Sequence, residues 1–200
     1  MIQRLKDIIQ KEADAVLNIP VEISMVDAVT LILRQCHSSR KGKIVCSGMG
    51  KAGQIALNMA TTFCSTGTPA VYLHPSEAQH GDLGILQNHD VLLLISNSGR
   101  TREVEELIHL TKNLMPDIQI IGITRNPDSP LAKMADVTLF TGETVEVCPL
   151  GLTPTTSTTV MTVIGDLLVY GVMEQIGFTK EEYSKRHHGG YLGVKSKADK

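Results

Sequence analysis

The run Val91-Leu92-Leu93-Leu94-Ile95 is apolar at every position and then empties directly into Ser96-Asn97-Ser98-Gly99-Arg100-Thr101. A strand with one wet face alternates apolar and polar residues. A strand that is apolar throughout is covered on both faces, the condition of a parallel strand inside an α/β sheet. The turn is followed by a helical pattern over 101–114. Backbone N–H groups and hydroxyls at such a junction point beyond the strand, and a phosphate is the natural guest at the unsatisfied first-turn amides. Ser/Thr turns also cap helices without any ligand. The junction occurs a second time, where Lys43-Ile44-Val45-Cys46 leads into Ser47-Gly48-Met49-Gly50-Lys51. The repetition favours the ligand.

Candidate strands fall at 43–47, 70–74, 91–96, 119–124 and 137–141, separated by helical patterns at 51–65, 101–114 and 129–134. Pro127 and Pro130 frame the start of the last of these. This alternation predicts an α/β fold, a three-layer α-β-α sandwich around a parallel sheet of about five strands. Such sheets bind ligands at the carboxyl ends of their strands, where both Ser/Gly turns fall. Two amphipathic helices, 1–17 and 26–34, precede the sheet. The segment 155–176 is apolar nearly all round and needs cover on several sides. A homo-oligomer is the expectation from that helix. Residues 1–194 read as one domain, with 1–40 packing on it or on a partner subunit, and 195–200 as a polar, frayed tail.

Charge and cysteine usage narrow the class. Nineteen Lys and Arg against 21 Asp and Glu give a formal charge of −2, which exerts no pull on nucleic acid. No apolar stretch has the uninterrupted length of a membrane span. Arg4, Lys6, Asp7 and Lys11 are wrong for a secretory signal. Cys36, Cys46, Cys64 and Cys148 lie far apart with no C-x-x-C pair. They read as reduced core cysteines of a cytoplasmic protein.

Several residues could do chemistry. Ser47-Gly48-Met49-Gly50-Lys51 is neither a dinucleotide fingerprint nor a P-loop. Lys51 opposes the helix dipole at its start, which serves a ligand better than it serves the fold. His74-Pro75-Ser76-Glu77-Ala78-Gln79-His80-Gly81-Asp82 gathers histidines and carboxylates in a loop leaving the same end of the sheet. It reads as an acid/base-rich edge of the site, or simply as a polar loop. The spacing of His74 and His80 matches no standard zinc motif. Glu103 falls where acids suit the helix dipole. Glu146, flanked by Val145 and Val147, is expected to be partly desolvated, with its pKa raised towards that of a useful base. The run 153–159 of Pro and hydroxyl residues is a strong helix start. Arg186-His187-His188-Gly189-Gly190 is either a solvated terminus or a flap reaching into a site, a neighbour's included.

Five collinear segments together resemble a known family: Ser-Gly-Met-Gly-Lys at 47–51, 74–82, Ser-Asn-Ser-Gly at 96–99, Glu-Val-Cys-Pro-Leu-Gly-Leu-Thr-Pro-Thr at 146–155, and His-His-Gly-Gly-Tyr-Leu-Gly at 187–193. They are similar to sugar isomerase (SIS) domains, and within these to the D-arabinose 5-phosphate isomerases. The resemblance implies catalytic roles for Lys51, Glu103, Glu146 and His187. It implies substrate contacts at Ser47, Gly48, Gly67, Thr68, His74, His80, Ser96, Ser98 and Thr101, with the phosphate on Ser47, Ser96, Ser98 and Thr101. It implies no cofactor and no required metal, although His74 matches a position that takes an inhibitory zinc ion in relatives. Arg100 stands where relatives commonly carry an acid, and His188 replaces a usual proline. The chain stops soon after Gly193, where many relatives continue into a pair of regulatory CBS modules.

The activity implied is aldose–ketose isomerisation of D-arabinose 5-phosphate to D-ribulose 5-phosphate, feeding synthesis of Kdo for lipopolysaccharide. An acidic nucleotide-sugar such as CMP-Kdo is a candidate active-site inhibitor, through Arg100, His187 and His188. A tetramer with sites at subunit interfaces is favoured. Two other readings stay open at this stage: a non-catalytic phosphosugar-sensing module, and an isomerase of another phosphosugar such as a hexulose 6-phosphate. Residues 1–40 carry no basic recognition helix of the kind a DNA-binding regulator needs.

Overall fold

In a computed structural model, which describes residues 1–197, the five apolar runs form one parallel sheet. Its strands are β1 (Ile44–Gly48), β2 (Ala70–Tyr72), β3 (Val91–Ile95), β4 (Gln119–Thr124) and β5 (Val137–Phe140), in the order β2-β1-β3-β4-β5. The chain steps outward from β1 to β2 and then returns to the other side of β1, so the winding reverses between β1 and β3. A crevice opens at such a switch point beyond the carboxyl ends. Ser47 pairs with Leu94 and Gly48 with Ile95, so the two Ser/Gly turns leave the sheet side by side.

The continuous apolar runs follow from cover on both faces. Ile44, Cys46, Val91, Leu93, Ile95, Ile121 and Ile123 point to one cluster, beneath α2 (Ile23–Cys36), α3 (Gly50–Ser65) and α7 (Thr156–Gln175). Val45, Leu92, Leu94 and Ile120 point to the other with Val104, Leu107, Ile108 and Leu131, which belong to α5 (Arg102–Leu114) and α6 (Pro130–Met134). Each fully buried Leu, Ile or Val is worth about 1.5–3 kcal/mol, so both faces anchor the sheet. This is the expected three-layer α-β-α sandwich.

Four local expectations are corrected. The stretch 74–82 is not an open loop: Pro75–Ala78 forms α4, capped by His74, and Asp82–Ile85 forms a 3₁₀ turn. Helix α7 is not apolar all round, since Asp166, Tyr170 and Glu174, four residues apart, make an exposed line. Elsewhere α7 packs on α3, α2 and α1 (Ile2–Leu17) of its own chain. By length and composition it could cross a membrane, and half of it is buried inside this fold. Only Cys36 and Cys46 are core cysteines, for Cys64 is exposed and Cys148 half-buried. Finally, α8 (Lys180–Arg186) and α9 (Gly190–Lys195) take up the C-terminal stretch. Lys195 is therefore helical rather than part of a tail; residues 198–200 lie outside the described residues. Helix α1 has no buried residue and exposes Ile2, Leu5 and Ile9, and further large apolar side chains are exposed at Val145, Leu150 and Leu152 before α7 and at Tyr191 and Val194 on α9.

Candidate active site

The turn after β3 is built by its own side chains. Ser96 Oγ and Thr101 Oγ1 share a hydrogen bond of 2.8 Å, and Gly99 N donates to Ser96 Oγ at 3.1 Å. Arg100 N donates to Ser98 Oγ at 3.2 Å. Gly99 has φ +65° and lies so close to α6 that a Cβ would stand 2.1 Å from Ser129 Oγ, so only glycine suits the position. At the turn after β1, a Cβ on Gly48 would stand 2.9 Å from Ile95 O and 3.1 Å from Ala52. Glycine there lets α3 start hard against the sheet.

Lys51, Ser96, Ser98, Thr101, Ser157 and Thr158 line one cavity of about 270 Å³. The N-termini of α3, α5 and α7 converge on it. Three positive helix ends, several hydroxyls and a lysine make it receptive to an anion. Ser47 stands behind rather than in it: the residue is fully buried and its Oγ has no hydrogen-bond partner. Glu103 is half-buried in the first turn of α5, two residues beyond Thr101.

Glu146 approaches from the segment between β5 and α7. Its Oε2 accepts from Thr155 N at 2.7 Å, Thr155 Oγ1 at 3.0 Å and Ser157 N at 3.4 Å. The carboxylate therefore caps α7, whose Thr155 makes no side-chain cap bond of its own. Burial alone pushes its pKa up, as the sequence led us to expect. The hydrogen bonds from Ser157 and Thr155 together outweigh burial and hold the carboxyl below its ordinary value. Glu146 is thus ionised at neutral pH. With Lys11, Asp14, Glu143, Cys148 and Thr156 it lines a second cavity of about 560 Å³. Lys51 and Glu146 thus line neighbouring cavities, to both of which the first turn of α7 contributes. Cys148 Sγ accepts from Thr153 N at 3.2 Å and Leu152 N at 3.3 Å, and hydrogen bonding from Thr153 and Leu152 brings its pKa down to about 7.

His74 has a local duty. Its Nδ1 accepts from Ser76 N at 3.3 Å at the start of α4, and its ring meets Tyr72 edge-on. His80 is exposed just beyond that helix. Among the described residues, no group of three His, Cys, Asp or Glu side chains is arranged to hold a metal ion.

The remaining residues stand at the other edge of the sheet. Gly67 and Thr68 follow α3, whose 16 residues span about 24 Å from the Lys51 end. Thr68 is buried, and its Oγ1 shares a 3.0 Å hydrogen bond with His37 Nε2. Burial pushes the His37 imidazole pKa down. A Cβ on Gly67 would stand 2.8 Å from the Phe178 ring and 3.6 Å from Arg186 Nη2. His187 follows Arg186 at the end of α8, stacked on Tyr183 with ring centroids 3.7 Å apart, and its Nδ1 donates to Tyr183 O at 3.0 Å. Within one chain, then, Lys51, Ser96, Ser98, Thr101, Glu103 and Glu146 gather at the carboxyl edge. Gly67, Thr68 and His187 gather at the amino edge. His37 carried no sequence signal because its partner lies 31 residues away.

Fold and turns define an α/β domain with an anion-receptive crevice at its topological switch point. The chain belongs to the SIS domain family, which matches residues 38–170. It is 48% identical over 153 residues to the arabinose 5-phosphate isomerase KdsD of Pseudomonas aeruginosa, covering 76% of this chain and 46% of that protein. The chain thus spans about half the length of the curated relatives it matches. A candidate phosphosugar isomerase involved in capsule formation from Bacteroides fragilis is 66% identical, with a TM-score of 0.93 over 96% of this chain and 99% of that one. The Escherichia coli CFT073 protein c3406, in complex with arabinose 5-phosphate, is 34% identical, with a TM-score of 0.85 over 93% of this chain and 96% of that one.

Proposed function

We propose that this chain is a metal-independent aldose–ketose isomerase interconverting D-arabinose 5-phosphate and D-ribulose 5-phosphate. The observation that carries the reading is the cavity in which Lys51 meets Ser96, Ser98 and Thr101 at three helix N-termini. The likeness to KdsD supports the choice of substrate.

The phosphate would sit on the Ser96–Thr101 turn. Proton transfer needs a base for the C2–H bond of the aldose. We assign it to Glu146, whose hydrogen bonds keep it ionised and engage Oε2, with Oε1 as the oxygen that would take the proton. The C–H electron pair becomes the C1–C2 double bond of an enediolate, whose charge Lys51 offsets. The proton returns to C1, while Glu103 carries the exchange between O1 and O2. His187 aids ring opening of the furanose.

His187, Gly67 and Thr68 stand a helix length from Lys51, so this reading includes a homo-oligomer, a tetramer favoured, with sites completed between copies. The exposed Ile2, Leu5 and Ile9 of α1 support such an assembly. The reading also places the protein in the cytoplasm, supplying Kdo synthesis for lipopolysaccharide. CMP-Kdo would act as an inhibitor at the same site through Arg100, His187 and His188.

The test is conversion of D-arabinose 5-phosphate to ribulose 5-phosphate by purified protein, with and without EDTA, beside Glu146→Gln. Turnover that survives EDTA and collapses in the variant is the expected result. No turnover, with clear thermal stabilisation by a phosphosugar, would instead make this a sensing module.

A further inference from the structure

The first turn of α7 is held by two carboxylates from distant parts of the chain. Glu146 takes the amides of Thr155 and Ser157. Glu12, half-buried on α1, accepts from Thr156 Oγ1 at 2.9 Å and from Thr159 Oγ1 at 2.6 Å. Thr156 and Thr159 are three residues apart and so share one face of the helix. Each oxygen of Glu12 meets a different hydroxyl, so the carboxylate bridges them and resists rotation of the turn.

We propose that Glu12 is a positioning residue for Glu146, fixing the turn of α7 on which the Glu146 carboxylate is seated. The geometry gives two reasons beyond adjacency. Thr155, the helix-initiating residue, makes no side-chain cap bond, so the start of α7 depends on groups from outside the helix. Glu12 is also placed where packing does not require it: α1 has no buried residue, and only its Ala15 and Val16 lie against the core. A helix so loosely held by apolar contact relies on this clamp for its setting on α7. Glu12 touches no reacting atom in this scheme and acts through Glu146. The inference rests on the assignment of Glu146 as a catalytic group.

Electrostatics and positioning predict opposite signs, which makes the idea testable. Glu12 is an anion near another anion. If it acted only through its charge, its removal would ease ionisation of Glu146 and lower its titration midpoint further. If it holds the turn, its removal loosens the Thr155 and Ser157 hydrogen bonds, and the midpoint rises towards that of an ordinary glutamate. The other charged and titratable groups around the Glu146 cavity are Lys11 and Asp14 on α1 and Glu143 and Cys148 on the preceding segment. They stay constant across the comparison.

The experiment titrates the Glu146 side-chain carboxyl by carbon NMR in the full chain, for the wild type, Glu12→Ala and Thr156→Val. Thr156→Val removes one clamp bond, that from Thr156 Oγ1 to Glu12, without changing any charge; Thr159 is left in place because its hydroxyl also bonds Thr155 O. Both variants should raise the Glu146 midpoint, Glu12→Ala the more. In turnover assays Glu12→Ala should lower kcat about tenfold or more with KM little changed, as for a displaced catalytic group. The double variant should be no worse than Glu12→Ala alone. A midpoint that falls or stays put in both variants overturns the proposal, even where thermal stability drops. The titration needs no substrate, so it remains decisive should arabinose 5-phosphate prove not to be turned over, an outcome that would count against the proposed activity alone.

Discussion

Replacing Glu146 by Gln separates what the residue does for the fold from what it does for the reaction. Gln keeps an oxygen that accepts from Thr155 and Ser157 but loses the charge at the start of a 20-residue helix. The charge–dipole contribution is about 0.3–1 kcal/mol. In a protein of this size that lowers Tm by roughly 1–4 °C. A positioned general base is worth about 10²–10⁴-fold, or about 3–5 kcal/mol in the barrier. Calorimetry and an isomerase assay on the same preparation should therefore disagree widely in magnitude. The pH dependence adds a second check. Because hydrogen bonding holds the folded carboxyl below its ordinary value, its contribution to stability is fully present above the unfolded pKa of about 4.3. It is lost as pH falls through the lower folded value. The Tm gap between wild type and variant should hold steady from neutral pH down to about 5 and close in stronger acid. Turnover within a few-fold of wild type would refute the assignment of the base, and a gap that persists unchanged in acid would refute the anionic cap.

Gly99→Ala forces a Cβ to within 2.1 Å of Ser129 Oγ at φ +65°. The cost of at least about 2 kcal/mol should appear in thermal unfolding as a Tm lower by about 4–8 °C. Alkylation of Cys148, followed by mass spectrometry, should reach half its maximal rate near pH 7, because Thr153 and Leu152 bring its pKa to about 7. Cys36, which burial and the Asp90 charge push up to about 12, should stay unlabelled until the protein unfolds. Lys51→Ala and His187→Ala should each abolish turnover alone and regain part of it when the two proteins are dissociated, mixed and reassembled. Failure to regain any activity would count against sites shared between copies.

The sheet was legible because its strands are apolar at consecutive positions, a pattern set by cover on both faces. Strand ends were less so. The expected strand 70–74 pairs only to Tyr72, where it faces Cys46 of β1. Beyond that, His74 turns away to start α4. Helix α8 was missed although Thr179 and Glu182 form a capping-box spacing, with Glu182 N donating to Thr179 Oγ1 at 3.2 Å. Its composition, KEEYSKR, offers no apolar stripe to announce it. The Lys51 and Ser96–Thr101 half of the site was readable because each junction is local in sequence. The ionisation of Glu146 was misread for the opposite reason: the groups that decide it, Thr155 and Ser157, stand nine and eleven residues away. Valine neighbours gave the right burial and the wrong sign.

The topology explains why the family-matched residues divide between two edges. Parallel strands all end at one edge, and every crossover helix carries the chain back to the other. Residues at the start of α3, α5 and α7 thus share the switch-point crevice, whereas those that follow α3 and α7 cannot. Lys51 opens α3 and Gly67 follows it. Glu146 caps the start of α7, and α8 with His187 comes after the end of α7, about 30 Å further along. No five-carbon sugar phosphate spans that distance. A reaction that uses both groups therefore asks the amino edge of one copy to meet the carboxyl edge of another. One apolar surface free to take part in such a meeting is α1, whose Ile2, Leu5 and Ile9 are exposed. The same helix holds Glu12 against the turn that seats Glu146. In that arrangement, a contact that assembles the protein also bears on the carboxylate that would take the proton.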